Sequence, residues 1–122
     1  MIAGTSGLDE IGLQETSVAF EIQGSEIKRK EINPQEFGFK KASLAAIQGG
    51  DAEMNASIIN DILSGEKSAR RDIVILNSAY ALLVSGKVND VEKGIKLAEK
   101  SIASGAAEKI LQKLIKETRR YA

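Results

Sequence analysis

Thr-Ser-Val-Ala-Phe-Glu-Ile-Gln, Thr16 to Gln23, is followed by Gly24-Ser25 and then by Glu-Ile-Lys-Arg-Lys-Glu-Ile, Glu26 to Ile32. This stretch decides the fold class. Val18, Phe20 and Ile22 fall on one side of an extended chain, and Ala19, Glu21 and Gln23 on the other. A period of two in β-branched and aromatic residues predicts a half-buried strand. Gly24-Ser25 fits a two-residue hairpin turn with glycine first, which makes Glu26 to Ile32 the return strand. Lys28, Arg29 and Lys30 in succession suit an edge strand whose charges discourage further pairing. A solvated edge is the ordinary reading of these cations, ahead of a phosphate site.

Downstream, the period changes. Asn33-Pro34-Gln35-Glu36 reads as a compact helical start: Asn caps, Pro takes the first position, and Glu follows three residues after the cap. Gly38 ends it, with Phe37 and Phe39 beside the glycine as core anchors. Ser43 opens a short piece, Leu44 to Gln48, stopped by Gly49-Gly50. Asp51 caps a helix from Ala52 to Ser64 with Met54, Ile58, Ile59, Ile62 and Leu63 on one face. Gly49-Gly50-Asp51 resembles a phosphate-cradling loop but reads better as a tight turn with its cap. Ser68 to Ser85 is apolar nearly all round and predicts a buried helix, in which Asn77 and Ser78 need hydrogen-bond partners. Arg70 and Arg71 in its first turn oppose the helix dipole, and an ion pair with a neighbouring loop is the simplest account of them. A helix capped by Asn89 or Asp90 carries the stripe Val91, Ile95, Ala98, Ile102. The last helix, Ala106 to Arg120, is expected to turn Ile110, Leu111, Leu114 and Ile115 inward. The fold class is therefore α+β, a β-hairpin followed by about four helices. Residues 1–122 form a single partial domain, because a lone hairpin is marginal and wants a larger sheet.

Composition bounds the chemistry. The 122 residues are 43% hydrophobic and 28% charged, as expected of a globular chain. Lys plus Arg number 17 and Asp plus Glu 17, so the net charge is zero. That speaks against a role on nucleic acid or an anionic membrane. Without cysteine there is no disulfide, thiolate metal site or thiol nucleophile. Without histidine, the commonest general base and the commonest zinc ligand are missing. Chemistry here must run on carboxylates, Lys, Arg, hydroxyls and backbone. No apolar run is long enough to span a membrane, and no signal peptide is expected; a cytoplasmic location fits.

The opening residues hold the candidate site. Met1-Ile2-Ala3 reads as the end of a buried strand running into a glycine turn, Gly4 to Gly7, and then Asp9 and Glu10 stand side by side. The missing body of that strand points to a fragment. Adjacent acids in a loop are ordinarily just solvated. They are also what magnesium accepts: hard oxygen ligands, one or two from carboxylates, the rest from water and substrate phosphates.

Taken together, Gly7 to Glu10 (Gly-Leu-Asp-Glu), Asn33 to Gly38 (Asn-Pro-Gln-Glu-Phe-Gly), Gly49 to Ala52 with Asn55-Ala56, Arg71 to Asn77, Ala79, Ala81, Leu82, Gly86, and Ser104 to Ala107 (Ser-Gly-Ala-Ala) set a specific pattern by their order and spacing. The chain resembles the C-terminal third of the anthranilate phosphoribosyltransferases, of the nucleoside phosphorylase and phosphoribosyltransferase superfamily. The resemblance to pyrimidine nucleoside phosphorylases is looser.

The resemblance implies an enzyme of tryptophan biosynthesis that moves phosphoribosyl from 5-phosphoribosyl 1-diphosphate (PRPP) to anthranilate and releases diphosphate. It implies Mg2+ as cofactor, with Asp9 and Glu10 as the metal-binding pair; no catalytic residue is assigned. The family's glycine-rich diphosphate loop, its Lys-His-Gly-Asn segment and its N-terminal dimerisation helices have no counterpart here, and Ala3-Gly4 stands where many relatives have His-Gly. The isolated chain is accordingly expected to be inactive and to lack the family's homodimer interface, leaving a sheet edge and apolar faces exposed. The alternatives are a non-enzymatic α+β interaction module or a fragment of a pyrimidine nucleoside phosphorylase.

Overall fold

The computed structural model describes the backbone of residues 2–3 and the whole of residues 7–121; of the glycine turn expected at Gly4 to Gly7, residues 4–6 lie outside the described residues. The order of elements confirms the α+β reading. Strands β1 (Ile2–Ala3), β2 (Ser17–Gln23) and β3 (Glu26–Ile32) come first, then a single turn of 3-10 helix at Pro34–Phe37. Helices α1 (Leu44–Ile47), α2 (Ala52–Leu63), α3 (Ala69–Val84), α4 (Val91–Ala103) and α5 (Ala106–Thr118) follow. The strands form an antiparallel sheet in the order β1-β2-β3. Ile2 pairs with Ala19 and Ala3 with Val18, so Ile2–Ala3 lies as a strand beside the hairpin. Ile22 faces Ile27 across the turn, and Gly24 takes a φ of 60° there, the left-handed value that a glycine-first turn needs.

Helix starts follow the sequence closely, because caps are local chemistry. Asn33 accepts a hydrogen bond from the Gln35 N–H at 3.2 Å, Asp51 from Met54 at 2.8 Å, Ser68 from Arg71 at 3.2 Å and Asp90 from Lys93 at 2.7 Å. Each satisfies an amide that the first turn leaves without an intrahelical partner.

The core has two parts. One gathers Ile11, Leu13, Ala19, Ile32, Ile73 and Leu76, with Phe37, Phe39 and Tyr80 packed against it. The Phe37 and Tyr80 rings meet edge to face at 6.5 Å, so the aromatics beside Gly38 are anchors, as expected. The other gathers Ile62, Ile75, Ala98 and Ile102 between α2, α3 and α4. Helix α4 lies so close to α3 that a Cβ on Gly94 would stand 2.8 Å from the Ala79 carbonyl oxygen.

The inward faces depart from the sequence reading in four places. On β2 the buried side is Ser17 and Ala19, while the more apolar side is open, with Phe20 36% and Ile22 60% exposed. On α2 only Ile62 is buried, and Met54 and Ile59 are exposed. Helix α3 is not buried all round: Val74 and Val84 face outward. On α5 no residue is buried, and Ile110 and Leu114 are 68% and 58% exposed, leaving Leu111 and Ile115 as its half-buried pair. Periodicity identifies an apolar stripe; it does not supply the surface that covers it.

Candidate metal-binding loop

Asp9 and Glu10 are both exposed, in the loop that leads from the sheet to the core. Directly after them the chain dives. Ile11 and Leu13 are fully buried and belong to the core that also holds Ile73 and Leu76 of α3. An irregular backbone segment can be buried only if its peptide groups find partners. Here they do. The Ile11 N–H donates to Asn77 Oδ1 at 3.0 Å, and Asn77 Nδ2 donates back to the Ile11 carbonyl at 2.9 Å. The Gly12 N–H donates to Ser17 Oγ at 3.3 Å. The Leu13 carbonyl accepts from the Ala42 N–H and from Gln35 Nε2, each at 3.4 Å. The two carboxylates thus stand at the solvent end of a backbone held from β2, the 3-10 turn and α3.

Asn77 was legible in the sequence as a polar residue that needed partners inside an apolar helix. Its partner, 66 positions away, was not. Its remaining Nδ2 proton donates to the Ile73 carbonyl at 2.9 Å, one turn earlier in the same helix.

No lysine or arginine pairs with Asp9 or Glu10 among the described residues, and no cluster of three or more His, Cys, Asp or Glu stands ready for a metal among them. Two oxygen donors open to solvent do not make a closed cage. They do match a cation that keeps several waters and shares substrate phosphates, which is how magnesium is usually held.

The other candidates from the sequence resolve as structural. Asn55 bridges Gly50 twice, accepting its N–H and donating to its carbonyl, each at 2.9 Å. The Gly49-Gly50-Asp51 stretch is therefore a closed turn whose Gly50 amide is already taken. Arg70 donates to the Gln48 carbonyl at 2.8 Å, which ties α3 to the loop between α1 and α2. Arg71 lies 3.9 Å from both Asp72 and Glu99. It lines a cleft of about 690 Å3 between residues 37–42, the start of α3 and α4, where lysines and acids are mixed. Burial pushes the Asp72 carboxyl up, against the opposing pull of Arg71. The lysines of β3 are surface groups. Lys30 pairs with Glu21, and its hydrogen bond holds that carboxyl below the usual range.

Comparison with known proteins places the chain. The family model described as glycosyl transferase family, a/b domain, matches residues 1–108. The chain is 45% identical over 115 residues to the anthranilate phosphoribosyltransferase of Geobacter sp. (strain M21), covering 94% of this chain and 33% of that protein. It is 38% identical over 123 residues to the enzyme of that name from Rubrobacter xylanophilus, covering 100% of this chain and 36% of that protein. Among solved structures, the anthranilate phosphoribosyltransferase of Thermus thermophilus superposes with a TM-score of 0.81 at 32% identity, over 92% of this chain and 33% of that one. The Saccharomyces cerevisiae protein in complex with PRPP and Mg superposes with a TM-score of 0.82 at 26% identity, over 91% and 32%. This chain spans about a third of the length of these relatives.

Proposed function

This chain belongs to the glycosyl transferase family, a/b domain, and from that premise we propose that it serves the transfer of a phosphoribosyl group from PRPP to anthranilate. It would act as the C-terminal part of an anthranilate phosphoribosyltransferase, with Asp9 and Glu10 holding magnesium at the diphosphate. In that reaction the anthranilate amine forms a bond to the anomeric carbon, the carbon–oxygen bond to diphosphate breaks, and the amine gives up a proton.

The observation that carries the reading is the pairing of two solvent-facing carboxylates with a deeply anchored backbone directly behind them. Two carboxylates beside a diphosphate repel it unless a cation lies between them. Bound there, magnesium would offset the negative charge that develops on the leaving diphosphate. The contribution of this chain is to present the Asp9 and Glu10 oxygens from a fixed loop, so that little reorganisation accompanies the charge as it develops. The remaining ligands fall to water and to the substrate's phosphates. Support also comes from the yeast relative, whose structure contains PRPP and Mg.

The test is a chimera. Residues 1–122 replace the corresponding third of the Geobacter sp. (strain M21) relative, and anthranilate consumption is followed with PRPP and Mg2+. The expected result is magnesium-dependent activity that falls by about 100-fold or more when Asp9→Ala and Glu10→Ala are combined, the size of effect that losing one electrostatic stabiliser has elsewhere. A folded chimera that is inactive, or one indifferent to the double substitution, overturns the reading.

A further inference from the structure

Asn77 fastens both polar groups of Ile11, the residue next to Glu10. Its Oδ1 accepts the Ile11 N–H at 3.0 Å and its Nδ2 donates to the Ile11 carbonyl at 2.9 Å. The Nδ2–H to the Ile73 carbonyl, at 2.9 Å, fixes the amide plane against its own helix. Every polar atom of this side chain is thereby committed, and its orientation is over-determined. Ile11 is fully buried, so neither of its backbone groups can turn to water if the amide is removed.

We infer that Asn77 is the positioning residue of the Asp9–Glu10 carboxylate pair: it clamps the Ile11 backbone to α3 and so fixes where the metal-binding loop leaves the core. The inference rests on the reading of Asp9 and Glu10 as metal ligands. Three features make Asn77 the determinant. The clamp holds the residue next to Glu10, whereas Ser17 and Gln35 hold groups of Gly12 and Leu13, one and two residues further on. It works in both directions, so it fixes rotation of the backbone as well as position. It also originates on α3, which buries Ile73, Ile75, Leu76 and Ala79 and is the best-anchored helix of the fold. A carboxylate pair whose loop can swing loses metal affinity through ordering entropy, even with both ligands in place.

The experiment is nuclear magnetic resonance on the 122-residue chain, with Mn2+ alone as a paramagnetic probe and amide hydrogen exchange as a second readout. In the unsubstituted protein, Mn2+ broadens Asp9 and Glu10 before other residues, and both the Ile11 amide and the Asn77 side-chain amide exchange slowly. In Asn77→Ala, the Mn2+ concentration needed for half-maximal broadening at Asp9 and Glu10 rises at least five-fold. Ile11 protection falls at least ten-fold, while that of Ile75 and Ala98 follows only the change in global stability. Ile102→Ala serves as the comparison for stability alone: it unsettles the second core without touching the clamp, and leaves the Mn2+ response unchanged.

Equal Mn2+ responses in the unsubstituted and Asn77→Ala proteins overturn the inference, as does an equal loss in Ile102→Ala. If Mn2+ does not reach Asp9 and Glu10 even in the unsubstituted chain, the two carboxylates hold no metal without the substrate's phosphates, and the metal half of the inference fails. Exchange still decides the clamp in that case: an Ile11 amide that keeps its protection in Asn77→Ala overturns it, and a selective loss upholds it. Should Asn77→Ala not fold, the unsubstituted protein settles the matter through the Asn77 side-chain amide. Free exchange of those protons with solvent overturns the clamp, and slow exchange supports it.

Discussion

The α-carbon of Gly94 faces the backbone of Ala79 so closely that an added Cβ would lie 2.8 Å from the Ala79 carbonyl oxygen and 2.9 Å from its Cα. Helices α3 and α4 meet through this contact, with Ala98 and Ile102 buried further along the same face. Helix propensity argues for alanine over glycine by about 1 kcal/mol. Overpacking a contact made of backbone atoms costs about 1–3 kcal/mol. The second effect wins here, because a carbonyl in the middle of a helix cannot step aside. Gly94→Ala is expected to destabilise the chain, lowering its urea midpoint; an unchanged or higher midpoint would mean that the two helices can separate at no cost.

Asn55 closes the turn before α2 by holding both backbone groups of Gly50. Removing a side chain that caps backbone groups at a helix start costs about 0.5–2 kcal/mol. Asn55→Ala is expected to lose about 1 kcal/mol of stability on that basis, with no change in the response to inorganic phosphate. A phosphate-dependent rise in melting temperature, abolished by Asn55→Ala, would instead restore the phosphate-loop reading of Gly49-Gly50-Asp51.

The Tyr80 phenol is pushed up to about 12, first by burial and then by the nearby Glu92 and Glu36 carboxylates. In the unfolded chain a tyrosine loses its proton near pH ~10. Between these values the folded protein holds more protons than the unfolded one, so stability falls as pH rises. The contribution is intact below about pH 10 and is lost as the pH passes through the folded value. Denaturant titrations at stepped alkaline pH should show this decline in the unsubstituted protein and a shallower one in Tyr80→Phe. Parallel slopes would show that the ring's hydroxyl is well solvated.

Ile22 and Ile27 face each other across the hairpin and are 60% and 64% exposed. A cross-strand pair of this kind contributes about 0.2–1 kcal/mol. Replacing both by threonine keeps β-branching and removes the apolar surface. The double variant Ile22→Thr, Ile27→Thr is expected to change stability by less than about 1 kcal/mol. It should also sediment more nearly as a monomer at high concentration than the unsubstituted chain. An unchanged association profile would place the sticky surface elsewhere, with exposed Ile110 and Leu114 of α5 as the next candidates.

Local chemistry was legible in the residues. The hairpin between Ser17 and Ile32, its glycine-first turn, the caps Asn33 and Asp51, and a cap at Asn89 or Asp90 follow from interactions within a few positions along the chain. Those interactions do not depend on what the rest of the chain does, so the sequence by itself determined the α+β order of elements and the exposed acid pair at Asp9 and Glu10. Tertiary structure decided which stripe went inside. Val18, Phe20 and Ile22 form the more apolar side of β2, yet Ser17 and Ala19 are buried, because the helices pack from that direction and small residues admit them. Tertiary structure also decided what Asn77 does. A side-chain amide inside an apolar helix must be satisfied, but only the folded chain brings Ile11 to within 3.0 Å of it across 66 positions. Burial and long-range hydrogen bonds belong to pairs of surfaces, and no single segment carries the information about its partner.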